Sequence, residues 1–229
     1  MTFFDDPPLA APDDLRGLLL ARLRDPLPPE SVRARFAPGL SYGRHFGPAA
    51  HDARAAAVMI LIYPRGHAWH VPFTVRPETM LSHAGQISLP GGMVEPGETT
   101  RDAALRELDE ELGVSPASVE VLGILSPLYV FVSNIQVTPW LAMAREPVTF
   151  RPCDREVAEV LELPVAHLMN PAHVGLHHFR RGELEFSAPH FSWAEHRIWG
   201  ATSIILAELL ALLGALPSGA LRFKAPTTP

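Results

Sequence analysis

The residues most able to do chemistry lie between positions 92 and 114, GMVEPGETTRDAALRELDEELGV. Thr99 and Asp102 form a near capping box, which predicts a helix opening at Thr100. Gly113 fits the left-handed stop of that helix, and Pro116 follows it. Leu105, Leu108 and Leu112 recur at spacings of three and four and predict one buried face. Glu107, Glu110 and Glu111 recur at the same spacings and predict a second, acidic face. Carboxylates gathered in this way repel each other by a few tenths of a kcal/mol per pair. Glu110 and Glu111 also sit in the last turn, where the helix dipole disfavours negative charge by roughly 0.3–1 kcal/mol each. Breaking two local rules at once is the mark of a functional site. A hard divalent cation would remove the penalty, because it takes oxygen ligands and tolerates several carboxylates. An isolated E-x-x-E-E cluster would instead read as a solvated helix face.

The neighbours of these acids have roles in the same chemistry. Arg106 lies one turn from both Asp102 and Glu110, so it is expected to pair with carboxylates and orient them. Glu98, just ahead of the helix, is placed to share in a metal shell or to brace Arg106. Gly91 and Gly92 follow Pro90 after the apolar run Ile87-Ser88-Leu89. Glycine lets a backbone carbonyl come close to a metal.

Written as a pattern, the stretch is G-x5-E-x7-R-E-U-x-E-E-x-G-U with U aliphatic, and every fixed position is filled. It resembles the signature of the Nudix hydrolase superfamily. The resemblance implies an enzyme that hydrolyses a diphosphate joined to another moiety, with Mg2+ or Mn2+ as cofactor. It implies a metal shell drawn from the Gly91 carbonyl, Glu98, Glu107, Glu110 and Glu111. It implies catalytic roles for Arg106, Glu107, Glu110, Glu111 and Glu156, with Glu107 and Glu156 as alternative general bases. The fold implied is α+β, the Nudix α/β/α sandwich around a central mixed sheet.

The segment just upstream, FTVRPETMLSHAGQISLPGG from residue 73, is similar to one that coenzyme A diphosphatases, a Nudix subfamily, carry ahead of the box. Thr74, Arg76, His83, Gly85, Gln86, Pro90, Gly91 and Gly92 match. Pro77, Leu81 and Leu89 depart, standing where the subfamily has a small residue, a basic residue and Phe. Arg76, His83 and Gln86 are the implied substrate-binding residues, Arg76 being suited to grip a phosphate oxygen in bidentate fashion. Ser126-Pro127-Leu128-Tyr129, Ser133-Asn134 and Val137-Thr138-Pro139 resemble the subfamily's middle segment. Arg155 to Val160 resembles the late strand that faces the site, and Arg197 to Thr202 the start of the C-terminal helix. The implied reaction cleaves coenzyme A or an acyl derivative to 3′,5′-ADP and (acyl-)4′-phosphopantetheine. ADP-ribose, a nucleotide sugar or a nucleoside triphosphate stands as the alternative substrate. A non-catalytic nucleotide sensor is the rival of another class, and the complete set of carboxylates argues against it.

Composition sets the frame. The 229 residues are 47% hydrophobic, enough for one good core. Residues 1–50 read as a helical extension and linker, and 51–229 as the hydrolase domain. A net charge of −6 with only 19 Lys and Arg gives no footprint for nucleic acid. The single cysteine, Cys153, excludes an internal disulfide and agrees with a cytoplasmic location. MTFFDDPPLAAPDD lacks the features of a secretory signal, and the apolar stretch from Ala201 to Leu216 is interrupted by Glu208, so no membrane partner is expected. A homodimer stays open. His177, His178 and His190 lack a metal-ligand spacing and read as surface or core residues.

Helices are expected over residues 13–24, 30–36, 100–112 and 201–213, and strands over 56–63, 70–75, 119–125, 135–143 and 157–163. Pro139 favours an edge or a bulge for the strand that contains it. Arg65-Gly66 predicts one hairpin turn and Arg181-Gly182 another.

Overall fold

The computed structural model describes residues 12–39, 44–78, 85–181 and 184–214. Strand β1, Arg54–Arg65, is its axis. The run AAAVMILIY within β1 is apolar on both faces, as suits a strand covered on both sides. Ala56, Ile60 and Ile62 point into one core, and Ala57, Met59, Leu61 and Tyr63 into another.

β1 turns at Gly66 (φ 60°) into β2, Ala68–Val75, which pairs back antiparallel. β3, Ile87–Ser88, pairs with the end of β2. β4, Gly91–Met93, then pairs with the first half of β1, setting Gly91 opposite Val58. On the other side of β1 lies β7, Ile135–Met143, in parallel register. β5, Glu120–Ile124, and β6, Leu128–Val130, share the far edge of β7. β8, Glu159–Pro164, pairs with β2. The result is an eight-stranded mixed sheet, the α+β arrangement expected.

Helix α3, Thr100–Leu112, covers one face through Ala104, Leu108 and Leu112. Burying each of those leucines stabilises by about 1.5–3 kcal/mol. The opposite face is covered by α1, Pro12–Arg22, α2, Glu30–Ala34, and α5, Ala201–Gly214. Leu15 and Leu19 of α1 are fully buried in the same core as Ile204 and Leu209 of α5. The short α4, Val165–Leu168, follows β8. No helix among the described residues is long and apolar enough to cross a membrane.

Two expectations need correction. β7 is an interior strand rather than an edge, though its pairing with β5 carries a register shift between Val121 and Gly123, opposite Ala142 and Leu141. Pro139 is accommodated because its partner changes there: β6 pairs up to Val137 and β5 from Trp140, while Leu125 donates to the Pro139 carbonyl at 3.0 Å. The N–H that proline lacks falls at that break. Arg197 to Trp199 belong to a strand, not to the start of a helix. β9, Val174–Arg181, β10, Leu184–Trp193, and β11, His196–Trp199, form a separate three-stranded antiparallel sheet. Gly200, at φ 68°, ends β11, and α5 opens at Ala201.

Candidate active site

Helix α3 is fixed at both ends by its own sequence. The Thr99 hydroxyl accepts from the Asp102 N–H at 3.2 Å and donates to the Asp102 carboxylate at 2.6 Å. Gly113 closes the helix at φ 66°, donating its N–H to the Asp109 carbonyl at 2.7 Å. With the ends set and the leucine face buried, the acidic side chains have determined directions. Consecutive helical residues point about 100° apart. Glu111 therefore stands beside the buried stripe, Glu107 on its flank, and Glu110 on the outer side.

The carboxylates divide accordingly. Oxygens of Glu107, Glu111 and Glu156 lie within 4.8 Å of one another. Glu110 is not in that cluster; its side chain is 60% exposed and its carboxylate accepts from Arg106 at 2.9 Å. Glu98 is not in it either, because both its oxygens accept from Arg106, at 2.9 and 3.2 Å. The shared acidic face read from spacing is thus split by helix geometry. Glu107 and Glu111 meet Glu156, while Glu98 and Glu110 hold Arg106. Arg106 also donates to Glu107 at 2.9 Å and to the Met93 carbonyl at 3.1 Å, and it does not reach Asp102, which caps the helix. Glu98 raises the pKa of Arg106 most, and Arg106 in turn holds the Glu98 carboxyl below its ordinary value.

Glu156 reaches the cluster through backbone bonds. Arg151 N–H donates to the Leu112 carbonyl at 2.8 Å and Cys153 N–H to the Glu111 carbonyl at 3.0 Å. The loop carrying Glu156 therefore takes up the free carbonyls at the end of α3. Ala158 N–H then donates to the Val75 carbonyl at 2.8 Å, starting the β2–β8 ladder. That ladder brings Arg76, the residue after Val75, to the same place.

The glycines fit their neighbours closely. A Cβ on Gly92 would lie 2.1 Å from a Glu107 carboxylate oxygen, and one on Gly91 would lie 2.4 Å from the Ala57 carbonyl. Gly91 N–H donates to Glu111 at 3.2 Å. Gln86 accepts the Arg76 backbone N–H at 3.0 Å through its carbonyl, so it shapes the strand end. His83 lies outside the described residues. The clamp from Arg151 and Cys153 onto α3 was not foreseen; it uses backbone atoms, which leave no residue signature.

Electrostatics sharpen the picture. Glu111 is only 4% exposed, and burial pushes its pKa up to about 8, against the Gly91 hydrogen bond and with help from Glu107 and Glu156. Burial also raises Glu107, opposed by Arg106. Arg76 is close enough to Glu111 to pull its pKa back down. Nε of Arg76 is buried and has no hydrogen-bond partner among the described residues. Three converging carboxylates, one of them too buried to ionise easily, match a hard divalent cation in charge and in ligand type.

Comparison with known proteins places the chain in a family. The NUDIX domain family matches residues 53–181. The chain is 36% identical over 170 residues to the uncharacterized Nudix hydrolase NudL of Escherichia fergusonii, covering 72% of this chain and 85% of that protein. It is 35% identical over 172 residues to the NudL of Citrobacter koseri, covering 72% and 86%. Among solved structures, a MutT/nudix family protein of Enterococcus faecalis is similar at a TM-score of 0.48 and 18% identity, covering 81% of this chain and 73% of that one. With the box complete and its carboxylates gathered, the chain belongs to the Nudix family and is a hydrolase of pyrophosphate bonds.

Proposed function

We propose that this hydrolase cleaves the diphosphate of coenzyme A or its acyl derivatives, giving 3′,5′-ADP and (acyl-)4′-phosphopantetheine. The observation that carries the reading is Arg76. It belongs to the upstream segment similar to that of coenzyme A diphosphatases, and it stands beside the carboxylates with a buried Nε that has no partner among the described residues. A substrate phosphate oxygen would supply an acceptor for this Nε, which has none among the described residues.

In this reading Glu107 and Glu111, with the Gly91 carbonyl, would hold Mg2+ or Mn2+. The cation would neutralise phosphate oxygens and make water a better nucleophile. Glu98 and Glu110 fix Arg106, which keeps Glu107 oriented. Water attacks one phosphorus, the bridging P–O bond breaks, and the leaving phosphate departs as the second monoester. Glu156 takes the proton of the attacking water. It is the exposed member of the cluster, whereas Glu107 already accepts from Arg106.

The test is a panel of coenzyme A, ADP-ribose and a nucleotide sugar under one metal and pH, with products identified by mass. Coenzyme A or an acyl form should show the highest kcat/KM. A tenfold advantage for either rival would overturn the coenzyme A reading.

A further inference from the structure

We infer that one face of the small sheet is a stacking platform for the planar base of the substrate, with Trp199 as its contact ring. The inference rests on the Nudix reading of a nucleoside diphosphate substrate and is independent of coenzyme A in particular.

Strand register carries the first step. Phe179 pairs with Phe186, and His190 pairs with both Gly175 and Trp199, so these residues share one face. The opposite face carries Phe191 and Ile198, buried in the core that α5 covers. The aromatic face is therefore turned away from α5. On the main sheet, the side away from α5 is the side of α3 and the carboxylates.

The rings form a stack with an end. Phe186 and Phe179 are stacked at 5.1 Å and 14°, and Phe179 meets Trp199 at 4.4 Å and 37°. All three are half-buried. Below, the buried His190 ring rests against Gly175, where a Cβ would lie 2.7 Å from its Cε1. That support fixes the strand carrying the outer rings.

Position carries the second step. β11, which bears Trp199, lies against β3. Thr202 donates to the Ile87 carbonyl of β3 at 3.2 Å, and His196 lies 3.4 Å from Glu159 of β8. These two anchors flank the strand ends that present Arg76 and Glu156. A substrate whose diphosphate lies at Arg76 and the carboxylates can extend across β3 and set its base on Trp199. Aromatic rings accept any base, because every base has a π-face.

The test compares binding of AMP, UMP and ribose 5-phosphate to the full chain and to Trp199→Leu and Trp199→Phe, by calorimetry. Ring stacking should make a nucleotide bind about 5- to 150-fold more tightly than ribose 5-phosphate. Trp199→Leu should abolish that advantage, Trp199→Phe should keep most of it, and ribose 5-phosphate should bind all three proteins alike. Persistence of the advantage in Trp199→Leu, or equal loss for all three ligands, would overturn the platform. Should Trp199→Leu fail to fold by circular dichroism, photolabelling of the unaltered protein with 8-azido-AMP decides. Label on residues 174–199 supports the platform, and label confined elsewhere overturns it. A preference for ADP-ribose over coenzyme A would sink the coenzyme A reading and leave this result unchanged.

Discussion

The backbone N–H of Cys153 donates to the carbonyl of Glu111 at 3.0 Å. Two carboxylates 45 positions apart in sequence, Glu111 and Glu156, are thereby held by one continuous set of hydrogen bonds. The loop cannot move without releasing the end of α3, and the end of α3 cannot fray without displacing Glu156.

Gly113→Ala tests this coupling. The left-handed conformation at φ 66° costs a residue with a side chain about 1–2 kcal/mol. The new Cβ would also lie 2.8 Å from Cβ of Arg151. Stability should fall by at least that amount, and turnover should fall with it because the Glu156 loop is pushed off the helix. An unaltered denaturation midpoint together with unaltered kcat would show that the clamp is not needed.

The division of the acids predicts unequal effects. Glu111→Gln should lower kcat by orders of magnitude, since Glu111 lies in the three-carboxylate cluster. Glu110→Gln should cost at least tenfold less, since Glu110 is exposed and serves Arg106. Chelation should abolish activity, and added Mg2+ or Mn2+ should restore it. Equal losses in the two variants at saturating metal would mean that Glu110 swings into the shell.

Much of this site was legible in the sequence, and the limits have physical causes. The span of α3 was readable because Thr99, Asp102 and Gly113 act within a few residues of one another. That Glu156 faces the site was implied by the resemblance alone, because its meeting with Glu107 and Glu111 depends on β8 pairing with β2, a contact that local periodicity does not encode. Spacings of three and four placed Glu110 with Glu107 and Glu111, but the 100° step between Glu110 and Glu111 sends one to Arg106 and the other inward. Pro139 suggested an edge, and the change of partner from β6 to β5 made an interior place possible. The resemblance attached Arg197 to Trp199 to the C-terminal helix, whereas the apolar pattern began that helix at Ala201, and pairing with β10 makes the three residues a strand.

The raised pKa of Glu111 predicts how the metal-free protein responds to pH. Its ordinary value is 4.5, and burial pushes it up to about 8 in the fold. Between those values the native state holds a proton that the unfolded state has released, so this residue's contribution to stability falls as pH rises. It is fully present below 4.5 and lost through pH 8. Glu111→Gln removes the titration. In chelator, the variant should gain on the unaltered protein steadily across that window and then level off. A displaced pKa carries about 1.4 kcal/mol per pH unit, which puts the plateau at a few kcal/mol. Parallel stability curves for the two proteins would contradict the burial of this carboxyl.

The last prediction concerns the 3′-phosphate that distinguishes coenzyme A from ADP-ribose and nucleotide sugars. A charge-assisted contact to that phosphate contributes about 1.5–3 kcal/mol, or roughly ten- to a hundredfold in kcat/KM. Dephospho-coenzyme A should therefore be the poorer substrate by that factor if a cation of this chain reads the phosphate. Arg76 separates two arrangements. Its closeness to Glu111 favours a grip on the diphosphate itself. In that case Arg76→Ala lowers kcat/KM for coenzyme A and dephospho-coenzyme A alike and leaves their ratio intact. If Arg76 reads the 3′-phosphate instead, the ratio collapses toward one. The geometry predicts the first outcome, with a loss of at least tenfold on both substrates. A loss confined to coenzyme A would move Arg76 from the diphosphate to the 3′-phosphate, and no loss on either would remove it from substrate binding.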